Sequence, residues 1–541
     1  MGLRILFSVR KPTNVRHYEP VLRALAARGH DIELVQEHLA DFDWPPFVLT
    51  LAKDCPNIRL GMMPTSAKTR WWELATRFRR ARFYLRFFGP AYKDTPALLA
   101  RARKRAPRPA VRVAEIFGER GRRFLIRILD ILEQSTRSAA IYHDYLRQQR
   151  PDVVVLTPMV VLKTAQLDLA RAAMELGIRN VFAVASWDHL SSKGELNFSP
   201  QQVMVWNEVQ KREAIELHRL EPASIVVTGS QVFDDWFTRQ PSTTREEFCV
   251  RVGLRPDRPI VLYVCSSLLE GSPPERKFVV EWVKRLRASG HPTLRDCGIL
   301  VRPHHEHGEG WRRVSFEEYD NVACWPRAGD LPIDVRSKSD YFDSLYYASA
   351  TVGLNTSAMI EAAILGDPVF TILPPEFQDS QEGTVHFHYL LQGSDKLLHS
   401  TRSFEDHTRD LAATLDGHNP DPERSARFVR AFVRPRGLET PATMVFVEEL
   451  EALAARPTPT PLPVPVWTHP IRLILKPFAD AAARRILLME ELSRRRSQER
   501  LEEHRRNKLP QLMEYRQKKA EEARRRKEEL AGAVSSPEDA P

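Results

Sequence analysis

Residues 340–373 of the 541-residue chain read DYFDSLYYASATVGLNTSAMIEAAILGDPVFTIL, and the fold class is most readily inferred from this segment. Its pattern predicts a helix, a buried strand ending near Gly353, a polar turn, a second helix and a strand that begins near Pro368. Such a succession is typical of a parallel sheet with connecting helices. The turn at residues 353–357 (GLNTS) falls at the carboxyl end of a strand, which is where ligands of α/β sheets bind.

The same alternation of strands and helices occurs in two sets along the chain. Apolar runs predict strands at residues 5–9, 32–35, 152–157, 181–185, 203–206 and 225–228, and then at 259–265, 299–302, 350–353 and 368–372. Residues 240–257, which are polar and contain prolines, separate the two sets. The predicted fold class is therefore α/β, with two tandem Rossmann-like domains at residues 1–237 and 238–455.

Two segments fall outside this pattern. Residues 68–135 form a predicted helical insertion in the first domain, and between Lys68 and Arg127 it has 18 Lys or Arg against 4 Asp or Glu, a net charge of +14. Because the whole chain carries +10, the rest carries −4, so the composition does not indicate a general nucleic-acid binder. Residues 456–541 are predicted to be a proline-rich linker (456–465), a charged solvated helix (484–529) and a disordered end (531–541).

Cysteine usage and hydropathy restrict the class of protein further. The five cysteines are scattered without a CxxC pair, which argues against a zinc site or a disulfide framework and fits a reducing compartment. The first apolar run is too short for a signal peptide, and no stretch reaches the roughly 18 apolar residues of a membrane span. These features lead us to expect a cytoplasmic protein.

The turn at residues 353–357 is surrounded by polar and charged groups that could bind a phosphorylated ligand. Thr356 and Ser357 lie where a helix begins, so their hydroxyls and the free backbone N–H groups can hold phosphate. Glu361 follows Ser357 by four residues on the same helix face and can accept hydrogen bonds from ribose hydroxyls. The strand before VRPHHEH delivers Arg302 and His304 to the same sheet edge, where a guanidinium suits phosphate oxygens.

The quoted segment resembles the donor-binding signature of GT-B glycosyltransferases, a strand followed by a Ser/Thr pair and Glu-Ala-x-x-x-Gly-x-Pro. It is similar to the CDP-glycerol glycerophosphotransferase-like and UDP-N-acetylglucosamine 2-epimerase-like groups. The resemblance implies that Ser357 contacts the diphosphate and Glu361 the ribose of a UDP- or CDP-linked donor. It also implies that the last helix of the second domain crosses back to the first.

Five further residues are predicted to lie near the donor. Residues 226–234, VVTGSQVFD, resemble the element that precedes the interdomain linker in these groups, with Gly229 and Ser230 beside the ligand. Ser266 and Ser267 follow the first strand of the second domain, and Asn355 belongs to the turn. The alternative interpretation is a capped helix and a tight turn without a ligand.

Several residues are candidates for the catalytic base. His17 follows the first loop and its ordinary pKa suits neutral pH, Asp188 lies just beyond a strand in SWDHLSSK, and His304 ends the VRPH strand. His386 and His388 alternate in a polar loop after the last predicted strand. A lone histidine at a helix start is more often a cap or a surface residue. We expect no metal, because no Asp-x-Asp motif follows a strand and no carboxylate spacing completes the histidine cluster at 304–307.

The predicted function is transfer of a sugar or polyol phosphate from a nucleotide-linked donor to a glycan or lipid-linked acceptor, in assembly of a surface glycan or polymer. No cofactor is expected beyond the donor. The alternatives are a sugar-nucleotide 2-epimerase of the same architecture and a non-catalytic GT-B scaffold. The arginines and aromatic rings of residues 68–127 favour contact with an anionic membrane surface, so the protein is expected at the inner face of the membrane. A structural helical hairpin is the alternative, and nucleic acid is the least favoured partner.

Overall fold

The computed structural model describes residues 2–485 apart from 38–42, 66–69, 137–139 and 197, together with single positions beyond 485. The described strands form two parallel sheets. The first sheet contains β1 (Arg4–Val9), β2 (Asp31–Gln36), β3 (Ile58–Met62), β4 (Val153–Thr157), β5 (Arg179–Ala183), β6 (Gln202–Val205) and β7 (Ile225–Val227). The second contains β8 (Ile260–Val264), β9 (Gly298–Arg302), β10 (Val322–Cys324), β11 (Ala350–Gly353), β12 (Val369–Ile372) and β13 (His399–Thr401).

Both sheets have the strand order of a Rossmann-like domain. The first runs β3-β2-β1-β4-β5-β6-β7 and the second β10-β9-β8-β11-β12-β13, so the order reverses beside β1 and beside β8. In the first sheet Ile5 pairs with Ile32 on one side and Val153 on the other; in the second, Val261 pairs with Ile299 and Ala350. The prediction of two tandem Rossmann-like domains is confirmed. Three short edge strands, β3, β10 and β13, were not predicted, because they are partly exposed and lack a continuous apolar run.

Helices connect these strands and cover both sheet faces. The helices of the first half are α1 (Glu19–Ala27), α2 (Pro46–Asp54), α3 (Arg70–Arg86), α4 (Pro96–Arg105), α5 (Arg108–Ile116), α6 (Gly118–Ser135), α7 (Ala140–Gln149), α8 (Gln166–Glu175), α9 (His189–Ser192) and α10 (Glu208–His218). Those of the second half are α11 (Arg245–Val252), α12 (Glu275–Arg287), α13 (Pro292–Asp296), α14 (Gly308–Trp311), α15 (Val335–Tyr346), α16 (Ala358–Ile364), α17 (His388–Leu391), α18 (Phe404–Leu415), α19 (Arg424–Phe432) and α20 (Ala442–Ala455).

The insertion comprises α3 to α6, and several arginines of α3 point into the protein. Arg79 is buried between Glu133 (3.3 Å) and Asp168 (3.2 Å), and Arg86 donates to the carbonyl of Lys193 (2.7 Å). The aromatic rings of α3 form a small core of their own with α4 and α6. The expectation that the arginines of this helix are solvated or face lipid is therefore wrong for these positions, because buried carboxylates and carbonyls satisfy them.

The last helix of the second domain crosses back to the first. Phe446, Val447 and Leu450 of α20 belong to the same apolar core as β1 and α1. At the surface of this contact Arg28 is 2.6 Å and His30 is 2.9 Å from the carboxylate of Glu451. The crossing that the resemblance implied is confirmed.

A buried carboxylate joins the two domains where α20 begins. Asp234, which follows β7, accepts hydrogen bonds from the guanidinium of Arg434 (2.8 and 3.1 Å) and from the backbone N–H groups of Ala442 (3.1 Å) and Thr443 (2.6 Å). A carboxylate at a helix N-terminus complements both the free N–H groups and the helix dipole. Asp234 thus fixes the start of α20 from the opposite domain.

The segment after α20 lies along the first domain. The N–H group of Leu462 donates to the carbonyl of Met174 (2.9 Å), and helical residues 468–485 pack on the insertion, with Leu475 and Ala479 against Leu74. The predicted charged helix at 484–529 and the end at 531–541 lie almost entirely outside the described residues. None of the helices in the described part of the chain has the length and apolar character needed to cross a bilayer.

The Asp234→Ala variant should be destabilised by about 3–5 kcal/mol, because it leaves the Arg434 guanidinium buried without its partner. Urea unfolding followed by tryptophan fluorescence measures this loss. Asp235→Ala is the matched control, since the neighbouring carboxylate is exposed. Equal unfolding midpoints for the two variants would contradict the role of Asp234.

Candidate functional site

A cavity of about 280 Å³ lies between the two domains, at the carboxyl edges of both sheets. This is the place where Rossmann-like sheets bind their ligands. The first domain contributes residues that follow β1, β5 and β7, and the second contributes residues that follow β9 and β11. The lining includes Arg16, His17, Ser186, Trp187, Asp235, Arg239, Arg302, His304, Asp330, Lys338, Tyr341, Thr356, Ser357 and Glu361.

Glu361 stands on α16 and is held by a tyrosine from the preceding helix. The hydroxyl of Tyr341 on α15 donates a hydrogen bond to its carboxylate. Burial raises the pKa of Glu361 to about 7, although the Tyr341 hydrogen bond and the positive charge of Arg16 oppose this rise. The carboxyl is therefore close to half-ionised at neutral pH and can accept hydrogen bonds from ligand hydroxyls once it is ionised.

The polar turn before α16 presents two of its hydroxyls to the cavity. Thr356 and Ser357 line it, with Ser357 exposed. The neighbouring side chains build the turn: Ser266 accepts a hydrogen bond from the N–H of Asn355 (3.0 Å), and the Asn355 amide donates to the carbonyl of Ser380 (2.6 Å). Ser266 and Asn355 thus support the predicted site from behind rather than contacting the cavity.

Two predicted donor contacts lie at the domain junction instead. Gly229 has a positive φ of 87°, and a Cβ there would lie 2.8 Å from the side chain of Ala442 in α20. Ser230 is fully buried and its N–H donates to the carbonyl of Val433 (2.9 Å). The close approach that requires glycine is thus to α20 rather than to a ligand, which corrects the prediction for both residues. Ser267 does not line this cavity; it is exposed and donates to Glu306 (2.6 Å), and its donor contact stays a prediction.

Arg302 reaches the cavity but is already engaged in an ion pair. Its guanidinium donates to the Asp340 carboxylate (3.0 Å) and to the hydroxyl of Ser344 (2.8 Å), and it stacks over the Tyr341 ring at 5.1 Å. Arg302 is only 5% exposed. The structure therefore places Arg302 beneath Tyr341 as part of the wall, so that one face of the guanidinium orders the partner of Glu361.

His17 lies on the opposite wall, in the single turn Pro12–His17 after β1. Burial lowers its pKa well below the ordinary value, and the nearby Arg16 and His189 add to this effect. Its Nδ1 is buried and has no hydrogen-bond partner in the described part of the chain, while its Nε2 accepts a long contact from Arg16 (3.4 Å). Because Nε2 accepts this contact, Nδ1 carries the proton of the neutral ring, and the lone pair of Nε2 is the position that can take up a proton.

Asp188 is held by three donors. Ser186 (2.7 Å), Ser192 (2.8 Å) and Lys193 (3.0 Å) all contact its carboxylate. Burial acts to raise the pKa of Asp188, but the charges of Lys193 and its histidine neighbours and the Ser186 hydrogen bond hold it well below the ordinary value. A carboxylate satisfied in this way is a weak proton acceptor, so the geometry favours a positioning role for Asp188.

The histidines of the second domain form two separate groups. The ring of His304 stacks on His305 at 4.3 Å, and burial lowers the pKa of His304 to about 4. Burial also lowers the pKa of His386 to about 4, and its ring packs edge-on against Trp187 across the cleft at 4.7 Å. His388 contacts the carbonyl of Glu382 (2.7 Å). Among the described residues, no group of three or more His, Cys, Asp or Glu side chains is placed to hold a metal ion.

The architecture around this cavity has three elements: two Rossmann-like domains, a cleft between their carboxyl edges, and a last helix returned to the first domain. The chain has the GT-B fold. The sequence matches no protein-family model and no curated protein sequence.

Solved structures with a similar fold include a protein from Listeria monocytogenes that has been provisionally assigned as a UDP-N-acetylglucosamine 2-epimerase. It superposes with a TM-score of 0.49 at 11% sequence identity, and the alignment covers 86% of this chain and 100% of that chain. A glycosyltransferase from Rickettsia africae gives 0.47 and 11%, over 84% and 98% of the chains. The UDP-GlcNAc 2-epimerase from Neisseria meningitidis bound to UDP-GlcNAc gives 0.46 and 12%, over 84% and 100%. At such values the fold assignment rests on strand order and packing.

Tyr341 and Arg16 are among the residues of the cleft that were not predicted from the sequence. Tyr341 lies twenty positions before Glu361, and only the packing of α15 beside α16 brings the two together. Arg16 reaches across from the first domain and contributes to the pKa of Glu361. The adjacent pair Arg16-His17 in a loop after the first strand was the one available signal.

Glu361→Gln should stabilise the protein more at pH 8 than at pH 5. Because burial raises the folded-state pKa from the ordinary 4.5 to about 7, folding stability is lost as pH rises through this window, and glutamine has no proton to lose. Thermal unfolding of wild type and variant at both pH values measures the difference. Glu376→Gln, an exposed position in the same domain, is the control. An equal Tm difference at both pH values would contradict the raised pKa.

Proposed function

We propose that the protein transfers a sugar, or a polyol phosphate, from a UDP- or CDP-linked donor to an acceptor hydroxyl. The observation that carries this proposal is one cleft in which Glu361, Thr356 and Ser357 of one domain face the neutral His17 of the other. The resemblance of residues 340–373 to GT-B donor signatures supports the nucleotide-linked donor. The same resemblance supports a place in assembly of a surface glycan or polyol phosphate polymer.

In this proposal the second domain binds the nucleotide. Ionised Glu361 accepts hydrogen bonds from the ribose hydroxyls, and Thr356 and Ser357 donate to the diphosphate. Positive side chains from both domains surround the place where negative charge develops on the leaving group: Arg16, Arg239, Arg302 and Lys338 all line the cleft. Such fixed charges stabilise the departing phosphate without a metal ion, and we propose metal-independent chemistry.

The first domain supplies the base. The acceptor oxygen forms a bond to the transferred group, the bond from that group to the nucleotide's phosphate breaks, and the phosphate keeps the bonding electrons. The proton of the acceptor hydroxyl passes to the Nε2 lone pair of His17, which accepts only a long contact from Arg16 and which the low pKa keeps unprotonated at neutral pH. Asp188 positions the loop beside His17 through its bonds to Ser186 and Lys193.

Calorimetric titration with UDP, CDP, GDP and ADP should show selective binding of a pyrimidine nucleotide, weakened at least about tenfold by Glu361→Ala through loss of the ribose contacts. Glu376→Ala is the control. Binding of the corresponding nucleotide sugar should strengthen about tenfold between pH 6 and pH 8, because the ligand selects ionised Glu361. A nucleotide sugar is used for this comparison because its diphosphate diester does not titrate in that range. Absence of any nucleotide binding would refute the donor site.

Replacement of His17 tests the base. His17→Gln should reduce donor turnover roughly 10²–10⁴-fold while leaving the Kd of the nucleotide within about twofold, because the imidazole acts on the acceptor proton. The assay measures release of the nucleotide from the donor that calorimetry has identified, with a phosphorylated glycan as acceptor. His418→Gln, at an exposed position, is the control. Unchanged turnover would remove His17 as the base. Epimerisation of the donor without acceptor would identify the epimerase alternative, and binding without turnover the scaffold.

We propose an anionic membrane as the surface on which this transfer occurs. A row of exposed apolar side chains, accompanied by arginines, lies on α5, on α6 and at the residue between them. A second exposed apolar row lies on helical residues 468–485. The apolar members are Ile116 (73% exposed), Phe117 (65%), Phe124 (59%) and Ile131 (40%), with Leu473, Ile474 and Phe478 from the second row. Arg120, Arg123 and Arg127 accompany them. Rings and arginines on one face suit the headgroup region of an anionic bilayer.

Vesicle sedimentation tests this surface. Wild type should bind vesicles containing phosphatidylglycerol, and Phe117→Ser/Phe124→Ser should weaken binding roughly tenfold or more because it removes the buried apolar area. Leu49→Ser/Val250→Ser is the control, since these two side chains are also exposed but lie elsewhere. Equal binding by both variants, or none by wild type, would contradict the proposal.

A further inference from the structure

A second cavity, of about 630 Å³, lies entirely within the first domain. It is formed where the insertion covers the carboxyl edge of the first sheet: Arg10 follows β1, residues 160–163 follow β4, and residues 192–194 close the loop after β5. Helices α3 and α4 of the insertion supply the remaining wall. The cavity therefore exists because the insertion is present.

The lining of this cavity is strongly positive. Seven of its thirteen lining residues are Arg10, Arg80, Arg101, Lys104, Arg105, Lys163 and Lys193, and no described aspartate or glutamate lines it. Two of these cations have an acidic neighbour, since Lys193 is 3.0 Å from Asp188 and Arg10 is 3.9 Å from Glu37. The other five form no ion pair with any residue that the structure describes.

This arrangement is costly for the free protein. Arg10, Arg80 and Arg101 are half-buried, and the Nε atoms of Arg10 and Arg101 are buried without a hydrogen-bond partner among the described residues. Burial lowers the pKa of Arg101, and the like charge of Arg105 lowers it further. Guanidinium and ammonium groups gathered without carboxylates are stabilised when an anion with several oxygen atoms binds between them.

We propose that this cavity binds the phosphate groups of a ligand that carries more than one phosphate. Its volume of about 630 Å³ and the number of its donors suit a diphosphate or a phosphodiester chain better than a single carboxylate. Lys104, Arg105 and Lys163 are exposed at the mouth, whereas Arg10 and Arg101 lie farther in. The outer side chains attract the anion, and the inner guanidinium groups bind it. The Nε of Arg101 has no hydrogen-bond partner among the described residues, and that of Arg10 has only the 3.9 Å ion pair with Glu37.

The loop at residues 186–194 separates this cavity from the interdomain cleft. Ser186 and Trp187 line the cleft, Ser192 and Lys193 line the cavity, and Asp188 joins the two ends by contacting Ser186 and Lys193. A ligand bound by its phosphates in the cavity can extend past this loop to His17. The cavity then holds the phosphate end of the acceptor; this assignment rests on the proposed function, while the anion binding does not.

The test uses the full-length protein and two variants with the same change of charge. Lys104→Gln/Arg105→Gln/Lys163→Gln removes three exposed cations of the cavity, and Lys53→Gln/Lys277→Gln/Lys284→Gln removes three exposed cations elsewhere. Calorimetric titration with inorganic pyrophosphate at 0.15 M salt should show saturable binding by wild type. The cavity variant should bind about tenfold more weakly or worse, and the variant changed elsewhere like wild type.

Two further experiments distinguish binding in this cavity from binding in the cleft and identify the kind of molecule that carries the phosphate. Ser357→Ala/Glu361→Ala should keep pyrophosphate binding, so loss of nucleotide binding in that variant tests the proposed function alone. Tighter binding of dihexanoyl phosphatidic acid than of pyrophosphate, lost in the cavity variant, would support a lipid-linked phosphate; the reverse order would support a phosphate free of lipid. No saturable binding by wild type, or equal weakening in both charge variants, would overturn the proposal.

Discussion

The placement of the two domains depends on one buried carboxylate. Asp234 ends the first domain and caps the first turn of α20, while Arg434 from the second domain donates twice to one of its two carboxylate oxygens. Because α20 then fills the core beside β1 and α1, the two sheets are held with their carboxyl edges toward one cleft. Gly229 belongs to the same junction, since a side chain there would collide with Ala442. The cleft is a consequence of this contact.

The insertion shapes the other side of the molecule through buried ion pairs. Arg79 and Arg86 on α3 are satisfied by Glu133, Asp168 and the carbonyls of the loop at residues 186–194. Buried charges tolerate little displacement, because a lost partner leaves an uncompensated charge. The arginines that face inward therefore fix the helix, and those at its other edge and on α4 are left to form the positive cavity. One basic segment thus has a structural and a ligand-facing side.

The candidate site shows where residue patterns suffice and where they fail. Thr356, Ser357 and Glu361 were predicted from local spacing, because a turn between a strand and a helix always presents its side chains at a sheet edge. Ser230, Ser266 and Ser267 had the same apparent position. Ser230, however, is fully buried at the domain junction, the hydroxyl of Ser266 accepts from the N–H of Asn355, and that of Ser267 donates to Glu306. Hydrogen-bond partners that lie far away in the chain decide which hydroxyls remain available. No local pattern contains that information.

Local sequence patterns were enough to predict the two sets of strands and helices, since apolar runs and helical spacing are local properties that burial in a parallel sheet requires. They also predicted that Thr356 and Ser357 lie at the edge of the second sheet, where both line the cleft. The tertiary structure alone decided that Tyr341 and Arg16 meet Glu361, that the arginines of α3 are buried, and that Asp188 is paired with Lys193. The physical reason is that burial and ion pairing depend on groups brought together from distant parts of the chain, which set both pKa values and the charges left free for a ligand.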